Sequence, residues 1–432
     1  MEIVLGEREI LTQVWAFRQP FGLSVADRRR HVYVIGKTGT GKSTLLRNLI
    51  VQDIEAGRGF MLLDPHGDLA EELLDYIPPR RTAEVVYVAP ADLSHPVGFN
   101  LLERVPRDDR PLVAANIVAT FKHLWRDSWG PRLEYVLYNT LAALLDYPPS
   151  RGGVSLLGVP RMFTDATYRQ RIVREIQDVR ARSFWTEEFL AYPASFAAEV
   201  VSPIQNKVGA VLAAPAVRNM LGQAASTLKI AEAMDERRIV IANLSKGHLG
   251  EAACNLIGSL LITAVQLAAM RRASIPEDQR IDFVSYLDEF HNFTTDAFAS
   301  ILSEARKYRL SLVIGHQYLD QVPQPVRAAV FGNVGTLVSF GVGHTDAEEL
   351  AGEFDPYGIE TLTGLDRGKV CVRAISGAET GEPFLGETFA EVGWRHGRRA
   401  KVIEQSRRRW GRRREVVEAK IARWSRTPAP KW

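Results

Sequence analysis

Apolar positions along this chain fall into short continuous runs separated by stretches of helical spacing. Residues 31–35 form a β-branched run that ends at Gly36. Residues 43–55 then place Leu45, Leu46, Leu49, Ile50 and Ile54 on one helix face. Further strand-like runs lie at 60–63, 85–88, 239–242, 283–287, 311–314, 336–340 and 370–372, and helical patterns separate several of them. This alternation predicts an α/β fold with a mainly parallel sheet. From 111 to 227 the pattern changes. Strand-like runs nearly vanish and helical spacing dominates at 112–125, 132–145, 165–182 and 194–213, punctuated by loops such as 147–153. The expected organisation is a lead-in at 1–30, an α/β domain in two parts at 31–110 and 228–390, an all-α insertion at 111–227, and a basic helical tail at 391–432.

Composition narrows the class. Hydrophobic content of 46% and charged content of 24% are those of a soluble globular protein. Cys254 and Cys371 make no disulfide framework and no zinc-binding cluster, which fits a reducing, cytoplasmic setting. Residues 252–270 carry no charge, yet Asn255, Ser259, Thr263 and Gln266 interrupt them, so a buried helix is expected rather than a membrane span. Net charge is +3, but 391–432 holds fourteen Lys/Arg against four Asp/Glu, which leaves the remainder net negative. A basic tail on an acidic body suits either a polyanion partner or a solvated helix.

The strongest local signal is Gly36-Lys37-Thr38-Gly39-Thr40-Gly41-Lys42-Ser43, followed by Thr44. A strand precedes it and an amphipathic helix follows. Such a loop turns backbone N–H groups inward around a phosphate, and the helix offers its positive end. Lys42 would reach the β- and γ-phosphates of ATP, and the Ser43 hydroxyl would hold Mg²⁺. Reading these glycines as a dinucleotide site gives the Lys-Ser ending no purpose.

A second apolar strand, 283–287, delivers Asp288 and Glu289 to its end. Asp288 would hold Mg²⁺ through water, and Glu289 would orient and deprotonate the attacking water. The next strand ends at His316-Gln317. Gln317 is the candidate contact to the γ-phosphate, while His316 reads as structural. Arg306, between these strands, is a candidate arginine finger for a neighbouring subunit's nucleotide.

Together these pieces resemble the HerA/FtsK superfamily of DNA-pumping ATPases, and within it the soluble motor of TraG/TraD-like type IV secretion (conjugative) coupling proteins. The likeness is carried by residues 31–46, Leu63-Asp64-Pro65-His66-Gly67-Asp68-Leu69, Asn243-Leu244-Ser245-Lys246-Gly247, Tyr286-Leu287-Asp288-Glu289-Phe290, and 305–308 running to His316-Gln317. It implies a RecA-like motor with an all-α insertion, working as a homohexameric ring around DNA. Arg306 matches the finger acting in trans and Gln317 the γ-phosphate sensor. Arg30, beside Arg28 and Arg29, sits where relatives place a basic residue near the interface. Nuclease, relaxase or secretion-system partners are also implied. The likeness departs at the start: membrane-anchored coupling proteins begin with transmembrane helices and HerA proteins with a β-barrel. A chain without a transmembrane segment is expected here.

Candidates for pore loops that touch DNA are 290–295 and the turn near Pro65-His66-Gly67; Phe293 there could stack on bases, but simple packing of Phe290 and Phe293 is the favoured expectation. The function expected is an ATP-driven DNA translocase. The alternative is an ATP-gated assembly or recruitment ATPase with little translocation, docking its partner on the all-α insertion. An ABC-type reading of Leu244-Ser245-Lys246-Gly247 fails, because that run follows a strand and lies too far before Asp288.

Overall fold

The computed structural model describes residues 3–11, 16–295, 298–377 and 379–426. The chain divides into two compact units. The first comprises 1–87, 230–243 and 268–405, and the second 88–229, 244–267 and 406–432.

The first unit is built on one eleven-stranded sheet. In chain order its strands are β1 (Ile3–Leu11), β2 (Ala16–Leu23), β3 (Val32–Ile35), β4 (Gly59–Asp64), β5 (Val85–Val88), β6 (Ile239–Asn243), β7 (Phe283–Leu287), β8 (Leu310–His316), β9 (Thr336–Ser339) and β10 (Lys369–Arg373). A separate two-stranded ribbon, β11 (Ile375–Ser376) and β12 (Glu379–Thr380), precedes the last sheet strand, β13 (Phe384–Thr388). The spatial order is β2-β1-β13-β10-β9-β3-β8-β7-β4-β6-β5. From β9 to β6 the pairs are parallel. These strands are buried along their whole length, which is why their sequences read as unbroken apolar runs. From β10 to β2 the pairing is antiparallel. Residues 3–11 and 16–23, expected as a lead-in, thus extend the main sheet. Short helices α1 (Val25–Arg28) and α3 (Asp68–Leu73) and the longer α2 (Lys42–Glu55) connect its first strands. Helix α2 buries Leu45, Leu46, Leu49, Ile50 and Ile54 in the same apolar cluster as Val34, Leu62 and Tyr286.

The second unit is helical. The expected insertion, 111–227, lies within it, together with 88–110, 244–267 and 406–426. Helices Arg110–Leu124 and Pro131–Asp146 bury Val113, Ile117, Phe121, Leu137, Leu141 and Leu144. Rings of Phe163, Phe184, Trp185 and Phe189 pack within 4.8–6.1 Å of one another. The pattern at 165–182 predicts one continuous helix. Instead Ala166–Val173 and Val179–Ser183 are separate, because Asp165 and Asp178 each accept a backbone N–H and start a new helix.

The basic tail is docked rather than solvated. In the first unit Arg395 pairs with Glu72 and Glu391, and Arg399 with Asp75. In the second, Arg407 pairs with Asp92 and Arg414 with Glu418. Trp424 sits 5.6 Å from the Tyr168 ring under the Arg161 guanidinium. Residues 427–432 of the expected tail lie outside the described residues. Among the described residues one helix, Glu251–Arg271, is long and apolar enough to cross a membrane. Its most apolar window is 89% buried.

Candidate active site

Strand register assembles the site. Ile35 of β3 pairs with His316 of β8, and Leu287 of β7 with Ile314 of β8 and Leu63 of β4. The residues that follow emerge in a row at the carboxyl edge of the parallel strands, the edge at which ligands bind in open α/β sheets. They are Gly36, Gln317, Asp288 and Asp64.

The phosphate loop spans that edge between β3 and α2. Gly39 and Gly41 have φ of 81° and 124°, a region that side chains disfavour. A Cβ on Gly36 would stand 2.5 Å from that of Phe340. Lys37 N–H donates to Gly341 O (2.9 Å), which anchors the loop to the segment after β9. Lys42 is buried, and its ammonium donates to Gly36 O and Lys37 O. Burial pulls its pKa down against the opposing pull of Glu289 and Asp288. The Ser43 and Thr44 side chains line a cavity of about 250 Å³ with Asp64, His66 and Asp288.

The acids sit in different surroundings. Asp64 is fully buried and accepts backbone N–H groups from His66 (2.9 Å) and Ala70 (2.8 Å). These bonds tie the Asp-Pro-His-Gly-Asp turn to the start of α3. Asp288 accepts one N–H, from Glu289 (3.1 Å), and its pKa is pushed up to about 7 by burial and then by Asp64 and Glu289. A carboxylate strained in this way is stabilised by a cation, which suits it and the Ser43 hydroxyl to Mg²⁺. Glu289 adopts a left-handed backbone (φ 45°, ψ 52°), held by Asn292 Nδ2 donating to its carbonyl (2.7 Å). Its Oε1 accepts from Gln317 Nε2 (2.8 Å), so the two residues expected to handle water and γ-phosphate are in contact. Its Oε2 lies 3.5 Å from His291 Nδ1. His291 was not singled out from the sequence; a Glu-x-His spacing was the only signal available.

His316 is fully buried between the Phe290 and Tyr33 rings, and burial lowers its pKa to about 3. At 290–295 the packing expectation holds: Phe290 and Phe293 are fully buried and Thr294 and Thr295 also lie inside, so this candidate for a DNA-touching loop falls away. The apolar packing of the strand end claims them. His66 of the other expected loop is exposed.

Arg306 lies elsewhere. It precedes β8, at the amino edge of the sheet, in the turn Ala305–Tyr308. The seven residues of β8 separate it from Gln317 by about 20 Å. Its side chain is exposed and makes no ion pair or hydrogen bond among the described residues. The turn is anchored through His31, which bridges Leu302 O and Leu312 N–H (both 3.0 Å) and is kept neutral by burial. Of the neighbouring arginines, Arg28 forms a buried bidentate pair with Asp53 (2.7 Å), and Arg29 pairs with Asp282. Arg30, before β3, makes no such contact among the described residues.

A phosphate loop, an acidic pair and a polar strand end on one edge of a mainly parallel sheet define a RecA-like P-loop NTPase fold. Residues 16–108 match the family model for the central domain of the helicase HerA. The bacterial conjugative coupling protein TrwBdeltaN70 has the same fold, with a TM-score of 0.63 and 17% identity over 87% of this chain and 88% of that one. TrwB in complex with ADP and Mg²⁺ gives 0.60 and 16%, over 86% and 87%. VirB4 of Thermoanaerobacter pseudethanolicus gives 0.59 and 14%, over 90% and 96%. No curated protein matches in sequence.

Proposed function

We propose that this chain is an ATP-hydrolysing motor that acts as a ring of identical subunits, six by resemblance, and drives DNA through it. Binding would be carried by residues 36–44, with Lys42 on the β- and γ-phosphates. Mg²⁺, held by Ser43 and through water by Asp288, would neutralise charge on the phosphates. Glu289 would take the proton of the attacking water, and Gln317 would align it against the γ-phosphate.

One observation supports the ring above the rest. The carboxyl edge gathers every expected site residue except the arginine, and Arg306 stands uncommitted at the opposite edge. It cannot serve its own site at about 20 Å. A head-to-tail ring would bring this part of one subunit's surface against a different part of the next, where Arg306 could reach the neighbour's nucleotide. The test is subunit mixing. Arg306→Ala and Lys42→Ala proteins should each be inactive alone, and together should recover part of the wild-type rate. No recovery weighs against a finger in trans. DNA should raise the wild-type rate, with the gain falling steeply between 50 and 200 mM salt, roughly as expected for phosphate contacts.

The buried Phe290 and Phe293 and the ion-paired tail favour a second reading, in which the ATPase gates assembly with a nuclease or secretion partner and moves little DNA. ATP turnover without displacement of a triplex from duplex DNA would select it.

A further inference from the structure

We infer that His291 is a positioning residue for Glu289, steadying the Oε2 side of its carboxylate while Gln317 holds Oε1. The inference rests on the ATPase reading and deepens it. The Glu289 side chain is 7% exposed. Its Oε1 has a donor in Gln317, but its Oε2 is buried and accepts no hydrogen bond from the described residues. A buried carboxylate oxygen without a donor is costly, and such an atom marks a place where a partner is engaged during function. The group within reach is the His291 imidazole, with Nδ1 at 3.5 Å, on a side chain 19% exposed at the rim. A slight turn of the ring brings an Nδ1–H into bonding distance.

The geometry also gives a reason for two holders. Gln317 sits at the end of β8 beside the phosphate loop, and its amide is the contact proposed for the γ-phosphate. When that amide swings toward a phosphate, Oε1 loses its donor. The left-handed backbone at Glu289 fixes where the side chain starts but not how the carboxylate is rotated. His291, two residues on in the same turn, is then the contact that keeps the carboxylate plane aimed at the water.

The experiment compares His291→Ala, His291→Leu and His291→Gln in steady-state ATP turnover and in binding of a non-hydrolysable ATP analogue. Alanine and leucine should lower kcat about 10-fold, as a misaimed base does, with KM and analogue affinity unchanged. Glutamine, which keeps a donor near Oε2, should recover most of that loss. In a Glu289→Gln background, His291→Leu should cause no further fall. Wild-type kcat in the leucine variant, a glutamine variant no better than leucine, or an equal further fall in the Glu289→Gln background each overturn the inference. A wild-type chain without ATP turnover overturns the hydrolase reading and this inference together. Turnover unaffected at His291 overturns the inference alone.

Discussion

The two edges of the central sheet use charge in opposite ways. At the carboxyl edge several polar side chains are engaged with side chains or backbone: Lys42 with loop carbonyls, Gln317 with Glu289, Asp64 with two backbone N–H groups. At the amino edge Arg28 and Arg29 are paired, yet among the described residues Arg306 and Arg30 are not. A surface arginine without a partner is ordinary taken singly. Two of them, just before the adjacent strands β3 and β8 at the same edge, are what the proposed head-to-tail ring would use. The difference directs the tests: on the proposed reading the committed edge holds the nucleotide, and the uncommitted edge would act on the site of another subunit.

The largest expected effect probes the committed edge. Glu289→Gln should lower kcat by roughly 10²–10⁴ while nucleotide still binds. Loss of binding instead would assign Glu289 to folding the site. The uncommitted edge comes next. Arg306→Ala should cost on the order of 10³-fold in turnover. Arg29→Ala, which removes a partly exposed pair with Asp282, should stay within about 2-fold, because such pairs contribute little. Equal losses at Arg306 and Arg29 would dissolve the distinction between the two kinds of arginine. Arg30→Ala should fall between them, roughly 3- to 10-fold, with the loss appearing as weakened subunit association in sedimentation.

The same contrast explains what was legible in the sequence. All eight strand-like runs became strands of the sheet, because strands buried on both faces leave continuous apolar stretches. The antiparallel extension was missed. In β1, Glu7, Arg8 and Glu9 follow the buried Ile3 and Leu5, and β13 carries Gly386 and Glu387 in five residues. One-sided burial at a sheet's flank looks like a loop. The residues expected at the phosphate loop, the acidic pair and Gln317 come together, since each is tied to a strand end. The Arg28–Asp53–Tyr286 network was invisible, because charges in sequence carry no sign of being buried. Phe290 and Phe293 were ambiguous for the converse reason: an aromatic beside an active site reads the same whether it packs or stacks.

The smallest effect sharpens the comparison from inside the committed edge. Burial, Asp64 and Glu289 hold the Asp288 carboxyl at about 7, above its ordinary value of 3.8. A carboxyl with a raised folded pKa keeps its proton more tightly in the folded state. The cost of its charge is absent below about pH 4, grows as pH rises to 7, and is complete above that. Asp288→Asn should therefore stabilise the protein at pH 8 in EDTA without nucleotide. The gain should be on the order of 1–4 kcal/mol, or roughly 1–4 °C in Tm for a chain of this length. It should fade by pH 4.5, where the wild-type carboxyl is already protonated. Thermal unfolding of both proteins at the two pH values reads this directly. A gain of the same size at both would locate the effect in packing. A gain confined to high pH would show that the committed edge stores unfavourable charge that a cation is needed to relieve.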